Sequence, residues 1–480
     1  MDPTSLPSEI TAIILKYLAD ENNIAQYATV CREWQAVIEQ LNFHSLSLAA
    51  QDVPKLNNIM ATRNLNLVKY IWYSIELKSY DCSDCFRDDD ELESTAVAIK
   101  DGIRTMFQTL SKRSHNRGLT LDISIHSPSD AEHYFNYIRF EPANAVGRDR
   151  TTGQGSDHVA VRGVVPSLQA IRRISAEFFF IDFDASGHET SASGEEFWAS
   201  VPQVSCVSRL LLRRQTRRQW DPIAISRLIA RLSNLEDLVI EPWSDATHYN
   251  QSLTDKRWAD LVFPSLIPNN LKRMTIFEDF NEAYDPRNRA LAHQRLVVHP
   301  VFGALAEASL GLQHLSVAFM TDAKLFWSVR KDRVWERLKT LALTAQDFTL
   351  DNDPKKIGHV ICLAADAVKK MPKLQTMELW NGGKGHAALF RYSINKDCRQ
   401  AKILWRANWP FTLDGPIAKK WQDVADANNV SHLKIEHQVL PPFLIRSHGE
   451  AILILDLEIE VACPVSIQQI HREYLEMRNL

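Results

Sequence analysis

From Leu67 to Leu379 the chain repeats a short phrase in the order apolar-x-x-apolar-x-apolar. It appears as LVKYIW at Leu67, VSRLLL at Val207, LEDLVI at Leu235, LKRMTI at Leu271, LQHLSV at Leu312, LKTLAL at Leu338 and LQTMEL at Leu374, with IRRISA at Ile171 a weaker copy. Alternation at a period of two predicts strands whose alternate side chains turn into a core. Helical or loop stretches precede several copies, as PIAISRLIARLSN does before Leu235. Strands alternating with helices predict stacked α/β units.

The strand phrase of a leucine-rich repeat has this rhythm, with copies about 20–29 residues apart. Here most steps are longer, and the asparagine or cysteine expected after the strand is missing. The region 63–399 is therefore expected to be an irregular leucine-rich-repeat-like α/β solenoid, or an α/β array of similar logic. An ordinary α/β domain whose strands share an apolar rhythm is the plainer reading. Polar inserts NAVGRDRTTGQGSDH (144–158) and DASGHETSASGEE (184–196) are expected to be flexible, and RDDDELE (87–93) is an acidic run. From residue 400 to 480 the character changes. KILWRANW and AILILDLEIEV read as strands, PIAKKWQDVADANN as a helix and SIQQIHREYLEMRNL as a closing helix. That stretch is expected to be an α/β cap over the last repeat, or a small subdomain.

The first 48 residues follow a different period. Ser5 can cap a helix whose first turn holds Pro7 and Glu9. Ile10, Ile13, Ile14, Tyr17 and Leu18 then form an amphipathic stripe, with Leu15 apolar on a second face. ADENN (19–23) is a polar break, and Val30, Trp34, Val37, Ile38 and Leu41 mark a further helical face. A segment this short sits near the limit of independent folding. Its first helix also carries more apolar surface than one neighbouring helix covers. Either the rest of the chain covers it, or another protein does.

LPSEITAIILKYL followed by ATVCREWQAVIE resembles an F-box, the motif by which ubiquitin-ligase receptors bind a Skp-family adaptor. The matches are Leu6, Pro7, Glu9, Ile10, Ile14, Leu15, Leu18, Val30, Cys31, Arg32 and Trp34, in order. The resemblance implies a three-helix F-box over 1–48, followed by a linker helix over 49–62. It implies that Leu6, Pro7, Ile10, Ile14, Leu15 and Leu18 face the adaptor, with Val30, Cys31 and Trp34 supporting that interface. Cys31 is then a small buried residue. An F-box joined to irregular leucine-rich regions resembles fungal F-box proteins. The fold class expected for the whole is α+β and multidomain. The function implied is that of a substrate-recognition subunit of a Skp–cullin–F-box ubiquitin ligase, in contact with cullin through the adaptor. A non-ligase scaffold bound to the adaptor, or a small-molecule-binding or enzymatic body tethered by the F-box, are the alternatives.

Composition narrows the classes further. Of 480 residues 45% are hydrophobic and 24% charged, with net charge -4, the balance of a globular protein. That charge gives no pull towards nucleic acid or an anionic membrane. Asp2, Glu9, Asp20, Glu21, Glu33 and Glu39 against Lys16 and Arg32 already account for it, so the remainder is nearly neutral. No apolar run suggests a membrane span, and MDPTSLPSE lacks the features of a signal peptide. Seven scattered cysteines do not form a disulfide framework. Cytosol or nucleus is the expected location, and the sequons at Asn250 and Asn429 then carry no meaning.

Little in the chain points to catalysis. Cys82 and Cys85 make one C-x-x-C, but zinc requires two further ligands and no second pair exists. NGGKGHAA (381–388) lacks the phosphate-loop spacing and reads as a flexible loop. No nucleophile, metalloprotease or kinase motif appears. No enzyme activity, cofactor, metal or catalytic residue is expected. The densest basic stretch, RLLLRRQTRRQW, holds Arg209, Arg213, Arg214, Arg217, Arg218 and Trp220. Arginine forks suit carboxylates and phosphates. The reading is a contact for an acidic or phosphorylated target, or else a solvated strand edge. A cis pairing with the acidic run at 88–93 is a further option, and nucleic acid is disfavoured by the neutral surroundings.

Overall fold

The computed structural model describes residues 8–21, 24–60, 66–81, 92–113, 118–132, 138–145, 177–178, 192–245, 248–267, 270–280, 299–328, 333–395, 398–430, 432–441 and 445–479. Fourteen α-helices and fourteen strands lie among them. The strands are β1 (Ser45–Ala49), β2 (Tyr70–Glu76), β3 (Leu119–His126), β4 (Glu177–Phe178), β5 (Val207–Leu212), β6 (Gln219–Trp220) and β7 (Asp237–Ile240). They continue as β8 (Arg273–Phe277), β9 (His314–Ala318), β10 (Thr340–Thr344), β11 (Thr376–Gly383), β12 (His386–Asn395), β13 (Gln400–Ala407) and β14 (Leu433–Val439). Twelve form one sheet whose order follows the chain, with only β4 and β6 paired apart. From β1 to β11 every neighbour is parallel. Antiparallel pairing enters at β12 and ends at β13, and β14 is parallel again.

The repeated phrase keeps register in space. Its third residue pairs with the third residue of the next copy: Asp237 with Arg273, Arg273 with His314, His314 with Thr340 and Thr340 with Thr376. Its second residue donates a backbone hydrogen bond to the previous copy. Lys272, Gln313, Lys339 and Gln375 do so at 2.7–2.8 Å. Its first leucines, Leu235, Leu271, Leu312, Leu338 and Leu374, are all buried. Long inserts between copies are tolerated because loop closure costs grow slowly with length. The weak copy at Ile171 lies outside the described residues.

Positions four and six of the phrase, such as Leu238 and Ile240 or Leu341 and Leu343, point into the main core. Helices that include Pro222–Ala230, Pro354–Val368 and Gly415–Ala427 supply the opposing side chains, among them Ile225, Ile361 and Trp421. Burial of this kind stabilises by roughly 25 cal/mol per Å² of apolar surface.

Three boundaries differ from expectation. The sheet begins at Ser45, inside the stretch assigned to the N-terminal module, because SLSL alternates and pairs in parallel with β2. The linker helix is a working crossover: Val53 and Leu56 of Val53–Met60 lie fully buried in the main core. At the far end β13 pairs with β12 and β14 with β13, so the sheet crosses residue 400 without a break.

The last thirty-odd residues depart most. AILILDLEIEV does not form a strand; His448–Leu455 is a helix. Ser447 caps it by accepting from the Glu450 amide at 3.2 Å, and Asp456 ends it in the left-handed region at φ 51. A short unbroken apolar run carries no period, and here the caps decide. Residues 445–479 do not cap the final repeat. They lie back across the sheet's second face as a strap. Ile445, Ala451, Ile452, Leu455, Val461, Ala462 and Ile470 pack there on Phe277, Ala318, Trp380 and Leu389. Gly382 permits the approach, since a Cβ there would stand 2.6 Å from the Ala451 Cβ. NGGKGHAA, read as a loop, is the tight turn between β11 and β12, closed by Gly383 opposite His386 with Gly385 at φ 84.

Candidate functional site

The N-terminal module consists of α1 (Ser8–Glu21), a 3-10 helix (Ile24–Thr29) and α2 (Arg32–His44). Its own core is small: Leu15, Ile24 and Ile38, with Leu18, Tyr27, Ala28, Trp34 and Val37 packed on them. The apolar stripe of α1, expected to meet either the rest of the chain or an adaptor, therefore points outward. Ile10 is 43% exposed, Ile13 52%, Ile14 39% and Tyr17 73%, with Val30 at 58%. Leu15, read as an adaptor contact, is 0% exposed and holds α1 to α2. Leu18 is half-buried beside it. Cys31 is neither fully buried nor merely filling space. It caps α2, its Sγ accepting from the Trp34 amide at 3.5 Å. Leu6 and Pro7 lie outside the described residues. Ile13 and Tyr17, on the same stripe but not among the named adaptor contacts, complete the exposed face with Ile10, Ile14 and Val30.

The arginine stretch is the largest correction to the expected sites. Arg213, Arg214, Arg217 and Arg218 are 1–4% exposed, beyond the reach of a target. Arg213 clasps Asp122, its Nη2 at 2.9 Å. Arg214 pairs with Asp279 and, at 2.8 Å, with Glu473 on the strap. Arg217 pairs with Glu473 and lies over the Trp243 ring at 4.3 Å. Arg218 forks onto Asp130. Trp220 is half-buried against the main core. Arg209 alone stays accessible, bridging Asp237 and Glu460. The acidic run at 87–93, offered as a cis partner, lies almost entirely outside the described residues.

This polar layer fastens the strap to the sheet. Glu241 accepts from the Cys463 amide at 2.7 Å, the Ser466 hydroxyl at 2.6 Å and the Arg214 amide at 2.9 Å. Glu378 accepts from the Glu458 and Ile459 amides, each at 3.0 Å, and from Arg391 at 2.6 Å. Burial pushes both carboxyls up, against those bonds. Asp279 goes the other way. Burial raises it, but Arg214 and His448, whose Nε2 is 2.9 Å away, outweigh burial and hold it below the carboxylate range.

His126 gives this layer a pH dependence. It stacks on Phe140 with centroids 3.9 Å apart, and Ser74 is 3.3 Å from its Nδ1. Burial is the main reason its pKa falls to about 4; Asp130 opposes this and Arg218 adds to it. The unfolded chain takes up a proton near pH 6.5 that the folded chain refuses until about pH 4. Stability is then lost as pH falls through that window, by roughly 2–3 kcal/mol. Urea unfolding of the His126→Gln variant between pH 7 and 4 is expected to show a shallower slope than wild type. Equal slopes would remove His126 as the cause.

Among the described residues no three His, Cys, Asp or Glu side chains gather as a metal set. No helix among them is long and apolar enough to cross a membrane. Cys82 and Cys85 lie outside the described residues.

Comparison with known families gives two matches. Residues 4–48 match the F-box-like family, and residues 265–463 match a family of unknown function, DUF6546. No curated protein matches the chain significantly. F-box-like domains generally bind Skp-family adaptors, and the outward face of α1 lies within the first match. The second match runs from β8 through β14 into the strap.

Proposed function

We propose that the chain is the substrate-recognition subunit of a Skp–cullin–F-box ubiquitin ligase. One observation carries this reading: an F-box-like segment whose apolar stripe, Ile10, Ile13, Ile14 and Tyr17, is left open by its own fold. A soluble chain keeps such a stripe in water only when a partner covers it. The adaptor would cover it, and cullin would join through the adaptor. The body would hold a target protein near a ubiquitin-conjugating enzyme, raising effective concentration without reacting centres of its own. The body is read as a repeat-derived array, on the strength of the in-register phrase. Free thiols at Cys206 and Cys463 fit a reducing compartment, cytosol or nucleus.

Co-expression with a Skp-family adaptor tests the reading. A stable 1:1 complex on size exclusion, able to recruit cullin, is the expected result. A chain that elutes alone would overturn it. A complex that never takes up cullin would leave the non-ligase scaffold in its place.

A further inference from the structure

The strap occupies much of the sheet's second face, so a partner of the body must meet it elsewhere. At the edge where β10, β11, β13 and β14 begin and β12 ends, the surface opens into a groove of about 1110 Å³. Four lysines line it, Lys339, Lys373, Lys402 and Lys434, with His432 beside them and no carboxylate among the described lining residues. Glu436, the acid next to it, is already held by Lys402 and Lys434 at 2.7 Å each. Those two hydrogen bonds pull its carboxyl down to about 2.

We propose that this groove binds an extended acidic segment of a partner protein. Five strands at about 4.8 Å spacing make a floor of roughly 19 Å, the length of about six extended residues. The volume exceeds the usual small-molecule range of about 300–1000 Å³. Gln375, Asn395 and Gln400 in the lining offer amides to a peptide main chain. A single-stranded nucleic acid fits less well, because it needs aromatic platforms for its bases. The described lining residues of the groove include no Phe, Tyr or Trp. Two of the lysines come from the repeated phrase and its neighbour, Lys339 in LKTLAL and Lys434 in LKIEHQ.

Identifying the segment's owner as a ligase target rests on the function proposed above. The binding itself does not, so the test leaves the adaptor out. The full-length chain is titrated by fluorescence anisotropy with labelled octapeptides: one of Asp and Glu, one with phosphoserines, and one of Gln and Asn. A (dT)8 strand is the fourth probe. Both acidic peptides are expected to bind, weakening with added salt, and the uncharged one to fail. Tighter binding of the phosphopeptide identifies phosphate as the preferred anion, and equal binding identifies carboxylate. Lys339→Glu/Lys373→Glu is expected to weaken acidic binding at least tenfold. Lys355→Glu/Lys356→Glu makes the same charge change at the start of the helix Pro354–Val368 and is expected to have little effect. The proposal is overturned if neither acidic peptide binds, if both double variants lose binding equally, or if (dT)8 binds as well as the peptides. Failure of adaptor binding alone would leave the groove standing and remove only the ligase role.

Discussion

Ile10→Asp combined with Ile14→Asp is expected to reduce adaptor binding by at least two orders of magnitude while the rest of the chain stays folded. Each side chain is about two-fifths exposed and lies outside the module's own core of Leu15, Ile24 and Ile38. Fully burying a large aliphatic side chain stabilises by roughly 1.5–3 kcal/mol, of which the exposed two-fifths of each isoleucine leaves about 0.6–1.2 kcal/mol. An aspartate in its place must also be desolvated, at a cost of roughly several kcal/mol unless it is paired. Two such losses exceed the roughly 2.8 kcal/mol that a hundredfold represents. Leu15→Asp is the contrasting variant. It is expected to lose binding by breaking the contact between α1 and α2, which shows as loss of helical signal in the isolated N-terminal segment. Co-purification separates the outcomes, with circular dichroism as the folding control. Undiminished capture of the adaptor by Ile10→Asp/Ile14→Asp would sink the assignment of this face.

The periodicities were legible and the faces were not. The phrase beginning at Leu235 announces a strand, and the strand is there, in register with its neighbours. The helical stripe of α1 is equally plain, yet period alone does not say whether a stripe meets its own domain or a partner. Leu15, off the stripe, turned out to be the core residue. The arginine run illustrates the same limit. Arg213, Arg214, Arg217 and Arg218 look like surface because isolated charges are rarely buried. Their carboxylate partners sit 65 to 259 positions away in the chain, at Asp122, Asp130, Asp279 and Glu473, where no local pattern links them. A usable signal was present in the strands themselves. Asp122 and Glu378 carry charge on the strand face that alternates with the core positions Leu121 and Ile123, and Met377 and Leu379, and ionisable groups in the middle of a strand suggest that something covers them. The strap went unread because AILILDLEIEV has no decisive period, and its helix is settled by Ser447 and Asp456.

Arg214→Met is expected to lower the stability of the body by about 3–5 kcal/mol and to loosen the strap first. The guanidinium is 2% exposed and satisfies two carboxylates from opposite sides, Asp279 after β8 and Glu473 on the last helix. Two of its nitrogens meet both oxygens of Glu473, at 3.1 and 2.8 Å. Methionine keeps the apolar stem and its packing near Trp243, where the guanidinium lies 4.8 Å from the ring centroid. It leaves two desolvated carboxylates with less compensation, which is the costly half of a broken buried pair. Lysine is not expected to rescue, since one ammonium does not reproduce the fork. Removing one orphaned charge as well, in Arg214→Met/Glu473→Gln, is expected to recover part of the loss, because the coupled sites are not additive. Guanidinium unfolding measures the size of the effect, and limited proteolysis around residues 440–445 shows whether the strap detaches before the sheet opens. If Arg214→Met unfolds at the wild-type midpoint, the strap is held by Trp380, Leu389, Leu455 and their apolar neighbours alone. The arginine layer would then add no net stability, because its desolvation cost cancels its Coulomb gain.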